Sequence, residues 1–223
     1  MLRAVIFDFD GLIVDSETVL YQTWAEEYAR FGHDLPLEKW AVCIGVAESE
    51  LDPLVELEKS IGYSLPDRER LRAEIEQRAI QRLSAGGALP GVERVLQQAK
   101  QLKMRVGLAS SSDRPWVLQH LQRLGLMEHF ECIRTTTDVG VGKPDPRSYL
   151  AVLEYFRLSP HEAVALEDSP NGIQAARNAG VFCIVVPNEV TARLDISAAH
   201  LRLNSLTELN LAELQKRFNG KHG

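Results

Sequence analysis

Residues 5 to 11 read VIFDFDG: an apolar run that ends in two aspartates, Asp8 and Asp10, with Phe9 between them and Gly11 behind. An apolar run without alternation suits a strand covered on both faces, as in a parallel sheet. The side-chain period of a strand is two, so Asp8 and Asp10 point the same way while Phe9 enters the packing. Two carboxylates side by side repel each other, and something of opposite charge has to hold them together.

Six short stretches read as strands: residues 4–9, 105–110, 132–137, 163–168, 182–187 and 200–204. From residue 91 onward they alternate with helical patterns. GVERVLQQAKQL follows Pro90, DRPWVLQHLQRLG starts at a cap candidate, Asp113, with Pro115 in its first turn, PRSYLAVLEYFRL follows Pro144, and SPNGIQAARNAG closes on Gly180. Strands alternating with helices of this length indicate βαβ units with right-handed crossovers. The expected fold is an α/β, doubly wound parallel sheet of Rossmann-like type.

Residues 16–84 break that rhythm. They carry helical patterns and no convincing strand. Val19, Leu20, Trp24, Tyr28 and Phe31 fall near helical spacing, and Leu71, Ile75, Ala79 and Leu83 lie four apart on one stripe. Glu74 and Arg78 are placed for a supporting i,i+4 pair. Gly86-Gly87 and Pro90-Gly91 punctuate the return. The expected organisation is an α/β core of residues 1–15 and 85–223, with a small all-helical domain of residues 16–84 inserted after the first strand. The linkers near 11–16 and 84–90 are hinge candidates.

The chain has 223 residues and a formal net charge of -6, which argues against a nucleic-acid polymer or an anionic membrane as partner. No run approaches the ~20 apolar residues of a membrane helix, and Asp8 and Asp10 interrupt any apolar leader core. Cys43, Cys132 and Cys183 show no metal spacing and read as reduced thiols. A cytoplasmic protein is expected, with a monomer favoured. The polar tail FNGKHG is expected to fray.

In an open parallel sheet, ligands sit outside the carboxyl ends of the strands. Those ends supply Asp8 and Asp10, then Ser110-Ser111-Ser112, then Gly142-Lys143-Pro144, then Glu167-Asp168-Ser169. Four strands thus deliver carboxylates, hydroxyls and one ammonium to one edge. A hard divalent cation resolves the repulsion, and Mg²⁺ favours such oxygen ligands, whereas zinc would want His or Cys. Taken singly, each motif has a plainer reading as a turn or a helix cap; Asp15 and Ser16 read as a cap and hinge element rather than catalysts. GVGK at 140–143 is no phosphate-binding loop, since Pro144 follows the lysine. The six histidines show no ligand spacing and read as surface or helix-end residues.

DFDGLIVDSE, LASSSD, GKPDP and LEDSPNGIQAARNAG, in this order, resemble the four motifs of the haloacid dehalogenase superfamily. The helical insert resembles that family's cap, and the nearest group is the phosphatases and sugar-phosphate mutases related to β-phosphoglucomutase. The resemblance implies that Asp8 is a nucleophile forming an aspartyl-phosphate and that Asp10 is the general acid and base. It implies that Ser110 and Lys143 grip the phosphoryl group. It also implies that Asp8, the main-chain carbonyl of Asp10, Glu167 and Asp168 hold Mg²⁺. The expected substrate is a small phosphorylated metabolite, a sugar phosphate or a nucleoside monophosphate.

Mutases resembling this chain carry a histidine where Leu20 stands, and a lysine and an arginine where Ile44 and Glu48 flank Gly45-Val46. Loss of these three polar groups favours hydrolysis over a β-phosphoglucomutase-type mutase. A non-catalytic phosphometabolite binder is the second alternative, and it conflicts with the retention of Asp8, Asp10, Lys143 and Asp168. Trp24, Tyr28 and Phe31 read as core of the insert.

Overall fold

A computed structural model describes residues 1–40, 44 and 52–220. Six strands, β1 (Ala4–Phe7), β2 (Arg105–Ala109), β3 (Cys132–Arg134), β4 (Ala163–Glu167), β5 (Phe182–Val185) and β6 (Leu201–Arg202), form one sheet in the order β3-β2-β1-β4-β5-β6. Every pairing is parallel. Strand order therefore runs outward in both directions from β1, and the switch point where ligands bind in such sheets lies beside it.

The composition of β1 explains its place. All four residues are fully buried, and they face two different cores. Val5 and Phe7 enter one apolar cluster with α5 (Val92–Gln101), α6 (Arg114–Arg123) and α10 (Leu211–Gly220). Ala4 and Ile6 enter another with α8 (Arg147–Phe156) and α9 (Pro170–Asn178). Phe9 continues the first set, as the period of two requires. Asp8 continues the second.

Between β1 and β2 the described residues are helical: α1 (Ser16–Arg30), α2 (Leu37–Trp40), α3 (Pro53–Ile61) and α4 (Arg68–Ala85). They share a third cluster built on Trp24, Tyr28, Leu54, Leu57 and Ile75, with Phe31 packed against it. The Tyr28 hydroxyl donates to the Pro53 carbonyl at 2.7 Å. Val190, from the loop after β5, also enters this cluster and joins it to the sheet. Leu83 instead joins the sheet's own core. The two connecting segments run side by side, with Leu89 N–H donating to the Ile13 carbonyl at 2.9 Å.

Three expectations need correction. The third strand stops at Arg134, because Thr135 caps a short helix, α7 (Thr136–Val139), in a reciprocal capping box with Asp138. Glu74 pairs with Arg70 at 2.9 Å, while Arg78 crosses to the buried Glu27 on α1. His120 takes the helix-end place expected of it, in the last turn of α6, and is buried there. The first half of the tail is helical, since α10 continues through Gly220 with Phe218 against Phe182, and residues 221–223 lie outside the described residues. Among the described residues, no helix is long and apolar enough to cross a membrane.

Leu57→Ala should lower the stability read by urea denaturation by about 2–5 kcal/mol, because a fully buried leucine leaves a cavity among rigid neighbours. An unchanged midpoint would contradict the packing of the helical cluster.

Candidate active site

A cavity of about 550 Å³ opens at the carboxyl ends of β1, β2 and β4, within the size range of small-ligand sites. Asp8, Asp10, Ser110, Lys143 and Asp168 line it from the sheet side, and Leu20 and Trp40 from the helical side. The sequence-predicted residues thus converge. Glu167 sits behind them, fully buried. Ile44 is buried in the helical cluster, and its carbonyl accepts from Asn171 Nδ2 at 3.0 Å. Gly45, Val46 and Glu48 lie outside the described residues.

Lys143 organises the buried charge. Its ammonium donates to Asp8 Oδ1 and, at 2.7 Å, to Glu167 Oε1, which also accepts from the Tyr149 hydroxyl. Burial alone would lower the affinity of Lys143 for its proton, but the charges of Asp8 and Glu167 outweigh it and raise its pKa. Burial, then the charge of Glu167, pushes Asp8 up to about 8 against the opposing pull of Lys143. Asp168 is driven well above the usual carboxylate range by burial and by Asp8 and Glu167.

These shifts state a charge deficit. Asp8, Glu167 and Asp168 bring oxygens within 4.8 Å of one another, and all three are buried. One ammonium leaves two negative charges uncompensated, which a divalent cation with oxygen ligands would neutralise. The donor set is oxygen alone. The backbone is shaped to let these oxygens approach. Gly11 has φ of +75°, and a Cβ there would lie 2.1 Å from Asp168 Oδ2. A Cβ at Gly172 would lie 1.8 Å from Glu167 Oε2.

The carboxylate of Asp10 turns away from this cluster. Ser16 Oγ donates to its Oδ1 at 2.7 Å and Trp116 Nε1 to the same oxygen at 3.1 Å. Ser112 Oγ donates to Oδ2 at 2.5 Å. Ser16 is therefore a partner of Asp10, not only the start of a helix. Ser110 is buried, and its hydroxyl oxygen accepts from Ser112 N–H at 3.0 Å. Asp113 caps α6 as expected, accepting from Trp116 N–H at 2.8 Å.

Sequence reading missed Asn188, Tyr149 and Trp116, and it placed Ser112 at the site edge without its partner Asp10. Asn188 Nδ2 donates to Asp168 Oδ2 at 2.8 Å, while its Oδ1 accepts from the N–H groups of Val190 and Thr191. It stands just past the end of β5, so extending the strand-end argument to that strand would have found it. Lys39 and Lys59 do not reach the cavity; both pair with Glu56.

Residues 5–186 match the family model of the haloacid dehalogenase-like hydrolases. The chain belongs to that family. A Bacillus subtilis protein named "Putative phosphatase YhcW" is 42% identical over 222 residues, covering 100% of both chains. The phosphorylated carbohydrates phosphatase of Thermotoga maritima is 31% identical over 180 residues, covering 81% of this chain and 82% of its own. Among solved structures, a β-phosphoglucomutase from Clostridium difficile superposes with a TM-score of 0.74 at 25% identity, covering 99% of both chains. This haloacid dehalogenase-like chain is a hydrolase whose relatives include named phosphatases.

Gly11→Ala should displace Asp168 and weaken the cation site. Adding a divalent cation should raise the melting temperature of the native protein by mass action and raise that of the variant much less. Equal shifts in both proteins would remove Asp168 from the cation-binding set.

Proposed function

We propose that this protein is a Mg²⁺-dependent phosphatase that hydrolyses a small phosphomonoester, a sugar phosphate or a nucleoside monophosphate, through an aspartyl-phosphate on Asp8. The observation that carries the reading is the buried group of Asp8, Glu167 and Asp168 around Lys143 at the mouth of the cavity. In this reading residues 16–84 act as a cap over a core of residues 1–15 and 85–223.

Asp8, Asp168, Glu167 and the Asp10 main-chain carbonyl would hold the ion. Two bonds to Glu167 already come from Lys143 and Tyr149, so its larger share is to anchor Lys143. When bound, Mg²⁺ supplies charge neutralisation of the phosphoryl oxygens. Lys143 takes Asp8 Oδ1, which leaves Oδ2 to attack phosphorus. The new Asp8 oxygen–phosphorus bond forms as the ester P–O bond breaks, and Asp10 gives its proton to the departing oxygen. Asp10 then takes a proton from the water that cleaves the acyl-phosphate, and Asp8 returns to its starting form. The Ser110 hydroxyl and the Lys143 ammonium orient the phosphoryl oxygens throughout.

The likeness to β-phosphoglucomutase supports a mutase as second reading. A mutase has to grip a second phosphate. Among the described residues, Lys143 is the only cation lining the cavity, and it is already bonded to two carboxylates. The stretch 41–51, AVCIGVAESEL, contains no lysine, arginine or histidine. Hydrolysis is the better-supported outcome. Location in the cytoplasm and the monomeric state belong to the same reading.

Phosphate release from a panel of sugar phosphates, nucleoside monophosphates and an aryl phosphate should require Mg²⁺ and stop on chelation. Asp8→Asn should lower it by about 10³-fold or more. Release that survives chelation would refute the cation. Conversion of β-glucose 1-phosphate to its isomer in the presence of a bisphosphate, without net phosphate release, would establish the mutase instead.

A further inference from the structure

Asp10 is held by three donors, one at the start of α1 and two on the connection from β2 into α6, and they are not distributed evenly. Among the described residues, Oδ1 accepts from both Ser16 Oγ and Trp116 Nε1, whereas Oδ2 accepts from Ser112 Oγ alone. A carboxylate oxygen has two acceptor sites, so Oδ1 is saturated and Oδ2 keeps one free. Oδ2 is therefore the oxygen on which a proton can reside without breaking a bond.

Trp116 is fixed at its main chain as well as at its ring. Its backbone N–H is bound by the Asp113 carboxylate in the first turn of α6. Its ring lies against the His120 ring, with centroids 4.3 Å apart and planes at 58°. His120 is buried and leans in turn on Phe9, at 6.3 Å between centroids. Trp116 is thus braced through His120 against the residue between the two aspartates. The ring also lines the cavity.

We propose that Trp116 is a positioning residue for Asp10: its indole N–H closes Oδ1 and so assigns proton transfer with the leaving group to Oδ2. The inference rests on the phosphatase reading, in which Asp10 protonates the departing oxygen. Misorientation of that acid should matter most when the leaving group is a poor one. An alkoxide has to be protonated as it departs, whereas 4-nitrophenolate leaves as a stable anion.

The test compares Trp116→Phe, which keeps an aromatic ring and removes the donor, with the native enzyme. The readout is kcat/KM, which reports formation of the phosphoenzyme. For the best alkyl phosphate substrate it should fall by about tenfold, carried by kcat rather than KM. For 4-nitrophenyl phosphate it should change by less than about twofold. Equal losses on both substrates, or a change confined to KM, would make Trp116 a wall of the cavity and overturn the proposal.

A second measurement needs no turnover. The protein has three tryptophans, and Trp116→Phe identifies which indole N–H resonance belongs to Trp116. Asp10→Asn should move that resonance upfield, because a neutral amide accepts more weakly than a carboxylate. A resonance that stays in place overturns the contact. A native enzyme inactive on every phosphomonoester would refute the phosphatase reading instead, and the resonance would still judge the contact.

Discussion

The bond between Lys143 and two carboxylates is the constraint on which the site depends. Asp8 directly follows β1, Glu167 ends β4, and these strands pair directly in register. Parallel pairing fixes their ends side by side, so any side chain that continues Ile6 meets one that continues Ala165. The sheet therefore concentrates charge whether or not chemistry wants it. Lys143 relieves part of the repulsion and leaves the remainder for a cation, which is why a structural ion pair and a candidate catalytic centre coincide here.

Around this pair the molecule separates two kinds of carboxylate. Asp8 and Asp168 lie in a buried, mutually repulsive cluster. Asp10, two residues from Asp8, is solvated by a serine, a second serine and an indole. One environment suits a group that must face a cation and a phosphoryl centre, and the other suits a group that must hand over a proton. Gly11 makes the division possible, since its positive φ turns the chain beneath Asp168 immediately after Asp10. Asn188 ties the same region outward: it holds Asp168 with its amide nitrogen and, through its carbonyl, fixes the loop whose Val190 enters the helical cluster. The acidic site and the helical segment are mechanically joined at that loop.

The sheet and the acidic strand ends were legible in the sequence because burial on both faces leaves unbroken apolar runs, and because four such ends bring carboxylates, hydroxyls and a lysine to one edge, a convergence that separate turns and caps do not require. The stripe Leu71, Ile75, Ala79, Leu83 was legible for the same periodic reason, although Ile75 and Leu83 serve different cores. What escaped was set by contacts remote in sequence. Trp116 meets Asp10 across 106 positions, and Arg78 meets Glu27 across 51, so local spacing pointed Arg78 at Glu74 instead. Thr135 to Thr137 read as strand from their β-branched side chains, and the hydroxyl of Thr135 with Asp138 converts the same residues into a helix start.

In the proposed reaction Asp8, and no other carboxylate of the cluster, carries the phosphoryl group. The most direct test is to mix the enzyme with Mg²⁺ and a phosphomonoester, quench within the turnover time in acid, and map the phosphoryl adduct by mass spectrometry. The prediction is one adduct per chain, on the peptide containing Asp8, absent from Asp8→Asn. Phosphate released with no adduct, or an adduct on Asp10 or Asp168, would contradict it.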